Sequence, residues 1–162
     1  MRNDFILSLL FSAFVFATVA CSSSKAPSPT ALQTVQEIRE KIQAQDFIVE
    51  VSSAQPMRGR TMHLTPGYSL QIRNDSAVAY LPFYGVAHSA PYGGEGGIRF
   101  SEAMKNYIVT EKKDNWEIRF KVNTRYYHYD ISVGIYNNGN STIHVASHER
   151  DPISFIGEMK MH

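Results

Sequence analysis

The sequence predicts a mainly β protein: an antiparallel sheet that curls into a barrel or a strongly bent half-barrel, with one N-terminal amphipathic helix closing one end. Three observations lead to this fold class. Apolar and polar residues alternate with a period of two over most of the chain after residue 46, which indicates strands with one buried face. Turn residues separate these runs at short intervals. Only one segment has a helical period, so the sequence does not provide the crossover helices that parallel strands need.

The composition is that of a folded domain. The chain has 162 residues, of which 43% are hydrophobic and 12% aromatic, and such a content is typical of a protein with a packed core. The formal net charge is +1, far from the basic balance that nucleic acids attract, so no nucleic-acid partner is expected. A single cysteine cannot form an intramolecular disulfide, so core packing must supply the stability.

The N-terminus has the pattern of a bacterial lipoprotein signal peptide. Arg2 precedes an apolar run over residues 5–19, and the small residue Ala20 comes directly before Cys21, the only cysteine. The run is shorter than the roughly twenty apolar residues of an uncleaved membrane anchor, and an ordinary secretory signal needs no cysteine at this position. We therefore expect lipidation of Cys21, whose acyl chains would hold the protein on a membrane.

This interpretation divides the chain into three parts. Residues 1–20 are the signal peptide, residues 21–29 are a flexible tether, and residues 30–162 form a single β-rich domain. Serine and proline dominate the tether and leave it no face to bury, which is typical of a linker. A domain of this length normally has one core.

The predicted helix follows the tether. Its apolar residues recur at spacings of three and four, with polar and charged residues between them: Leu32, Val35, Ile38 and Ile42. The apolar stripe predicts that the helix covers one end of the domain's own core. Docking of a partner on the same stripe is the alternative.

Strands account for most of the chain from residue 47 onward. The longest alternation puts five apolar side chains on one face, and these are Tyr127, Tyr129, Ile131, Val133 and Ile135. Turn signals such as Pro66-Gly67 and Asn137-Asn138-Gly139 separate the runs and predict hairpins between neighbours. The predicted strands lie near residues 47–53, 57–63, 68–73, 77–83, 106–112, 115–123, 126–136, 141–148 and 153–159. A closed barrel and an open sheet satisfy this pattern equally.

The segment from Tyr80 to Ile98 is the most unusual part of the sequence. It contains half of the ten glycines together with several tyrosines, which offer flat faces with a polar tip. Such a segment can close over a ligand at the barrel mouth, and the candidate ligand-binding residues are Tyr84, His88, Tyr92 and Glu95. The alternative is a long structural connection that packs over the mouth. A phosphate-binding loop is excluded, because no helix follows the segment and an acidic side chain would repel the anion.

Part of this segment resembles a known family. Leu81-Pro82-Phe83-Tyr84-Gly85, followed by Ala90-Pro91-Tyr92-Gly93-Gly94-Glu95-Gly96-Gly97-Ile98, is similar to the core motif of a family of bacterial envelope proteins, a domain of unknown function numbered forty-two fifty-one. The resemblance extends from the N-terminal helix to the C-terminus. It implies a lipocalin-like β architecture in an envelope lipoprotein, and it brings with it no activity and no catalytic residue.

The residues after Cys21 bear on localisation. In related envelope systems, an acidic cluster at this place directs display on the cell exterior, and Ser22-Ser23-Ser24-Lys25 lacks one. The resemblance therefore implies an outer-membrane lipoprotein that faces the periplasm.

Histidines and carboxylates raise the question of a metal or an active site. His144 and His148 are four residues apart, which on a strand separates them by about 13 Å and prevents them from sharing an ion. His128 and Asp130 share a strand face and could join a third ligand, although polar residues on an outer strand face explain them as well. No nucleophile motif or recognisable acid–base spacing is present. We expect no catalytic residue, no metal site and no cofactor.

Three functional hypotheses follow. The first is a lipid-anchored periplasmic protein that binds a small apolar or aromatic ligand, or a peptide, under the loop at residues 84–98. The second is a structural or assembly factor that contacts another envelope protein through its sheet edge or helix. The third, a metal-dependent enzyme, requires His88, Glu95, His128 and Asp130 to cluster within a few ångströms.

Overall fold

The computed structural model describes residues 29–88 and 96–161. The expected signal peptide and tether, including Cys21, lie outside these ranges, as do Tyr92 and Glu95 of the predicted site. The elements, in chain order, are helix α1 (Pro29–Gln43) and strands β1 (Asp46–Pro56), β2 (Met62–His63), β3 (Ser69–Arg73), β4 (Ser76–Pro82), β5 (Gly97–Glu111), β6 (Asn115–Asn123), β7 (His128–Tyr136), β8 (Asn140–Ser147) and β9 (Ile153–Met159). Among the described residues, no helix is long and apolar enough to cross a membrane.

The strands form a closed barrel. From β3 to β9, each strand pairs antiparallel with the next along the chain, as hairpins dictate. Strand β1 pairs with β3 on one side and with β9 on the other, which closes eight strands into a ring. The short β2 pairs only with Ser53 and Ala54 of β1 and lies outside the ring. Within the described residues, the predicted mainly β, antiparallel fold with one N-terminal helix is confirmed, and the barrel is closed rather than half-open.

The seam between β1 and β9 contains a bulge. Val51 pairs with Gly157, and the next pair joins Ser53 to Ile156, so Ser52 is an extra residue in β1. The strands come so close here that a Cβ on Gly157 would lie 2.0 Å from the carbonyl oxygen of Glu50. Glycine is therefore required at position 157 for the barrel to close in this register.

Inward-facing side chains fill the barrel. The apolar face predicted for β7 is buried, with Tyr129, Ile131, Val133 and Ile135 each no more than 3% exposed. Strands β1, β3, β4, β6, β8 and β9 contribute in a similar alternating way, β5 contributes Ile98 and Phe100 near its start, and the side chain of Phe155 is fully buried. The interior is a continuous apolar core, packed as protein interiors are.

Helix α1 covers the end of the barrel at which β1 begins, here called the helix end. Ile38 and Ile42 are buried in the core and Val35 packs against it, whereas Leu32 is 55% exposed, so the predicted stripe packs from Val35 onward. The Tyr107 hydroxyl of β5 donates to the carbonyl of Ile42, at 3.3 Å, and Arg39 forms an ion pair with Glu111. Burial raises the pKa of Tyr107 to about 12. The helix is thus part of the domain's own core.

Two predicted strand boundaries are wrong. The strand expected at residues 57–63 is reduced to Met62–His63, because Gly59 turns the chain with a φ of +111°. The strand expected to begin at residue 106 begins at Gly97 instead, since Ile98 and Phe100 point into the core and extend β5 across β4. A register shift beside Asn106, whose φ is +53°, divides this long strand.

A smaller correction concerns β7. It begins at His128 rather than at residue 126, because the chain turns just before it. The Thr124 hydroxyl accepts hydrogen bonds from the backbone N–H groups of Tyr126 and Tyr127 and ends β6 in a tight turn. Tyr127 nevertheless lies on the buried face, as the alternation predicts.

Candidate functional site

The predicted site lies at the loop end of the barrel, opposite the helix end. The loop end is formed by residues 83–88, 96–97, 124–127 and 148–152, which leave and enter the strands at the side where Pro56 pairs with Ile153. Its first feature is a short backbone pairing between Ala87 and Arg150.

This pairing fixes the start of the glycine-rich segment. The N–H of His88 donates to the carbonyl of Glu149 at 2.8 Å, and the N–H of Asp151 donates to the carbonyl of Val86 at 3.0 Å. Residues 86–88 therefore lie as a short extended stretch along residues 149–151. The segment that the sequence marks as unusual is anchored to the barrel at this point.

Arg150 lies at the centre of the loop end. Its side chain is buried, with the guanidinium carbon 3.9 Å from the ring centre of Tyr127 and 5.0 Å from that of Phe83. Its Nη1 donates to the carbonyl of Gly97 at 2.9 Å. The faces of aromatic rings stabilise a cation that is removed from water. Because Phe83, Gly97 and Tyr127 belong to three separate segments of the chain, the Arg150 side chain joins these segments to one another.

Asp151 holds the neighbouring turn. One carboxylate oxygen accepts from the N–H of Val86 at 3.2 Å, and the other lies 3.0 Å from Nε2 of His88. The backbone hydrogen bond from Val86, assisted by His88, holds the pKa of Asp151 below its ordinary value against the opposing effect of desolvation. The carboxylate is therefore charged and bonded within the turn.

Glu149 forms a second network on the same segment. Its carboxylate accepts from the hydroxyl of Ser147 and lies 3.1 Å from Nδ1 of His128. These hydrogen bonds, with that of Ser147 the largest, lower the pKa of Glu149 to about 2. Burial raises the pKa of the nearby Tyr129 to about 12.

The structure brings together only part of the residues that the sequence suggested. Tyr84 and His88 both lie at the loop end and are exposed to solvent. His128 pairs with Glu149, whereas Asp130 pairs with Lys121 at 2.9 Å, so the two residues have different partners. Within residues 29–88 and 96–161, no three His, Cys, Asp or Glu side chains are arranged to hold a metal ion.

Sequence reasoning missed the residues that organise the loop end. Glu149, Arg150 and Asp151 have no motif spacing, and apart from Ser147, which bonds to Glu149, the side-chain partners described above come from segments more than twenty residues away. A weak signal is present, because a charged run directly before Pro152 separates two apolar strands. Such a run is usually solvated, and only the fold shows that Arg150 is buried.

A groove on the outside of the barrel was also not foreseen. It encloses about 900 Å³, and the outer faces of β1, β8 and β9 form its floor. The loop with Leu64 and Pro66 forms one wall, and the turn after Tyr136 forms the other. Ile156 on the floor is 40% exposed and Tyr136 is 45% exposed, which is high for large apolar side chains. We call this feature the outer groove.

A second, smaller cavity of about 590 Å³ also opens on the outer wall, between β5 and β8. Outward-facing side chains such as Ile108, Ser132 and His144 line it. Both cavities therefore lie outside the filled interior, on surfaces that a partner can reach without opening the barrel.

The two carboxylates of the loop end predict how stability depends on pH. A carboxyl group whose pKa is lower in the folded protein than in the unfolded chain stabilises the fold fully at pH values above its unfolded pKa. This stabilisation is lost as the pH falls through the folded pKa. For Glu149 the window runs from the ordinary value of 4.5 down to about 2. We expect the melting temperature to fall across this window, and Glu149→Gln to flatten the fall and to lower the melting temperature at pH 7.

The matched control is Glu102→Gln. Glu102 is exposed and forms no ion pair with any described residue, so the control should keep the full pH profile. Melting curves of both variants between pH 7 and pH 2 test the prediction. An unchanged profile in the Glu149 variant would show that the network with Ser147 and His128 does not stabilise the fold.

Comparisons with known proteins agree with this architecture. The family model described as Domain of unknown function (DUF4251) matches residues 30–159. A crystal structure of a DUF4251 family protein from Bacteroides eggerthii DSM 20697 aligns with a TM-score of 0.63 at 16% identity, over 78% of this chain and 87% of that chain. At that identity the likeness concerns the fold alone. No curated protein matches the chain.

Proposed function

The chain belongs to the DUF4251 family, and we propose that it is a lipid-anchored protein of the cell envelope that binds another polypeptide on the outer wall of its barrel. Cys21 would carry the acyl chains, on an outer membrane with the domain facing the periplasm. The barrel acts as a rigid scaffold, and its interior takes no part in binding.

One observation carries this proposal. Apolar side chains from the strands and the helix fill the interior, whereas the outer groove is open and has exposed apolar side chains on its floor. A filled barrel supports recognition on its surface, because a ligand inside would have to displace packed side chains. Exposed apolar surface in a concave site is typical of binding.

The loop end supports a role without catalysis. Asp151 is bonded to Val86 and His88, and Glu149 is bonded to Ser147 and His128. Each carboxylate is thus engaged in holding the chain rather than poised beside a reacting group. Their networks give these charged residues a structural role.

The anchor gives a direct prediction. In Cys21→Ser no thiol is available to accept the diacylglyceryl group, so the protein should move from the membrane fraction to the soluble fraction and lose incorporation of labelled fatty acid. Fractionation and lipid labelling of cells that express either form measure this. Ser22→Ala is the control and should stay on the membrane. Equal membrane binding of both variants would contradict the proposed anchor.

Site-specific photo-crosslinking in intact cells tests the binding surface. A photoreactive amino acid is placed at Tyr136 or Thr142 in the outer groove, at Tyr84 on the loop end, or at Ser101 on the opposite wall. The proposal predicts the same protein adduct from both groove positions and none from Ser101. Adducts from all positions alike, or from none, would overturn it.

A second candidate is binding of a small apolar or aromatic ligand at the loop end. Three apolar or aromatic side chains concentrate there and are exposed by 37% to 53%: Tyr84, Val86 and Tyr126. His88, Tyr92 and Glu95 would contribute polar contacts. Native mass spectrometry of the protein extracted from its own membrane should then show a bound small molecule that Tyr84→Ala releases. A protein that is always empty would reject this candidate.

A further inference from the structure

The charges of the outer groove are unbalanced. Its lining contains three carboxylates, Glu50, Asp114 and Glu158, and one ammonium group, that of Lys160. The Lys160 ammonium lies 2.8 Å from the Glu50 carboxylate, and this hydrogen bond raises the pKa of Lys160. The carboxylates of Asp114 and Glu158 form no ion pair within the described residues. Glu158 also attracts the Lys160 ammonium and contributes to its raised pKa, but three carboxylates against one ammonium leave the lining with an excess of two negative charges.

These charges flank an apolar floor. Ile156 and Tyr136 are the large exposed side chains of the groove, and Leu64 adds apolar surface from the opposite wall. Removing this surface from water favours binding of an apolar group. The two carboxylates favour a cation beside that group and disfavour anions such as nucleic acids and acidic lipid headgroups.

The polar side chains of the groove suit a peptide backbone. Asn137, Asn138 and Asn140 lie along one wall, and a side-chain amide has both donors and an acceptor. The Oδ1 of Asn138 accepts from the backbone N–H of Asn140 at 3.1 Å, which leaves the NH₂ group of Asn138 as a donor for a ligand. An extended segment presents alternating N–H and C=O groups that such amides can satisfy. A groove of about 900 Å³ that is open to solvent accommodates several residues without the deep enclosure of a small-molecule site.

We infer that the outer groove binds an extended segment of a partner protein that carries a lysine or arginine next to an apolar residue. This inference rests on the proposed function and specifies its partner. The basic side chain would lie between the carboxylates of Asp114 and Glu158, and the apolar residue would pack on Ile156 and Tyr136.

The test uses the full chain in detergent and a library of random linear peptides displayed on phage. The inference predicts enrichment of peptides with Lys or Arg beside an apolar residue. A synthetic peptide made from the strongest sequence should bind the double variant Asp114→Asn/Glu158→Gln at least ~10-fold more weakly, and Ile156→Lys should also weaken binding. Raising the salt concentration should lower the affinity of the unmodified protein.

The matched control is the double variant Asp75→Asn/Glu102→Gln. Both residues are exposed acids outside the groove, so this variant removes the same charge and should bind the peptide like the unmodified protein. If both double variants bind equally, the carboxylates of the groove do not select the segment and the inference is wrong.

The outcomes separate this inference from the proposed function. Selection of peptides without a basic residue, with binding that Ile156→Lys abolishes, would overturn the charge preference and leave the groove as the binding surface. Selection of no peptide that depends on the groove overturns the inference, and the absence of crosslinks from Tyr136 and Thr142 then overturns the proposed function as well.

Discussion

Gly157→Ala is expected to destabilise the protein by about 3 kcal/mol or more, because among the described glycines an added Cβ meets the closest contact at this position. The new Cβ would lie 2.0 Å from the carbonyl oxygen of Glu50 and 2.8 Å from Cα of Val51. Both are backbone atoms, so no change of rotamer can relieve the contact. Either β1 and β9 separate at the bulge, or the register of the seam changes.

Urea denaturation and amide hydrogen exchange measure this effect. The midpoint of unfolding should fall sharply, and the amide of Lys160, which donates to the carbonyl of Ile48 across the seam, should lose protection before those of β6 and β7, because the seam opens first. Gly96→Ala is the control: a Cβ there has no heavy atom of the described residues within 4 Å, so the stability of this variant should change by less than about 0.5 kcal/mol. Equal stability of the two variants would show that the barrel does not close through this seam.

Arg150→Ala is expected to lower the free energy of unfolding by about 2–4 kcal/mol, which is the largest expected effect after that of Gly157→Ala among the substitutions proposed for this protein. The substitution leaves a cavity between the rings of Phe83 and Tyr127 and leaves the carbonyl of Gly97 without its donor. Arg150→Lys keeps the charge and loses the planar stacking, so it should cost a smaller part of this energy. Chemical denaturation gives both values.

The control is Arg125→Ala, which removes an exposed guanidinium that lies 5.3 Å from the ring centre of Tyr126. Its effect should be below about 0.5 kcal/mol, because an exposed cation–π contact contributes little. Hydrogen exchange provides an independent measure, since loss of Arg150 should speed exchange of the amides of His88 and Asp151. If the Arg150 and Arg125 variants are equally stable, Arg150 does not join the segments of the loop end.

The sequence pattern correctly predicted the elements in which apolar and polar side chains follow the regular period of the backbone. The alternation around Ile131 identified the buried face of β7, and the spacing of Ile38 and Ile42 identified the packed face of α1, because each side chain follows the backbone period. The pattern failed where the backbone departs from that period. The turn at Gly59 shortened a predicted strand, and the long strand through Asn106 contains a register shift that the pattern does not reveal.

For the candidate site, the sequence identified the neighbourhood and missed the residues that organise it. Tyr84 and His88 lie at the loop end, as the aromatic and glycine-rich segment suggested. Arg150 and Asp151 were indistinguishable from solvated charges, because polarity is a property of the residue and burial is a property of its surroundings. The outer groove was invisible for the same reason, since its lining comes from five separate stretches of the chain.

By itself, the sequence determined the β class of the protein, the helix that precedes its strands and the buried face of its longest alternating strand. Through the residues around Cys21, it also led to a prediction that the protein is attached to a membrane. These properties are local, since hydrophobic periodicity and turn residues act over a few neighbouring positions. Only the tertiary structure decided that the barrel is closed, that its interior is full and that its cavities lie outside. Closure of the barrel depends on the pairing of β1 with β9, which lie about a hundred residues apart in the chain. The closed barrel in turn determines which charged side chains, such as Arg150 and Asp151, are removed from water.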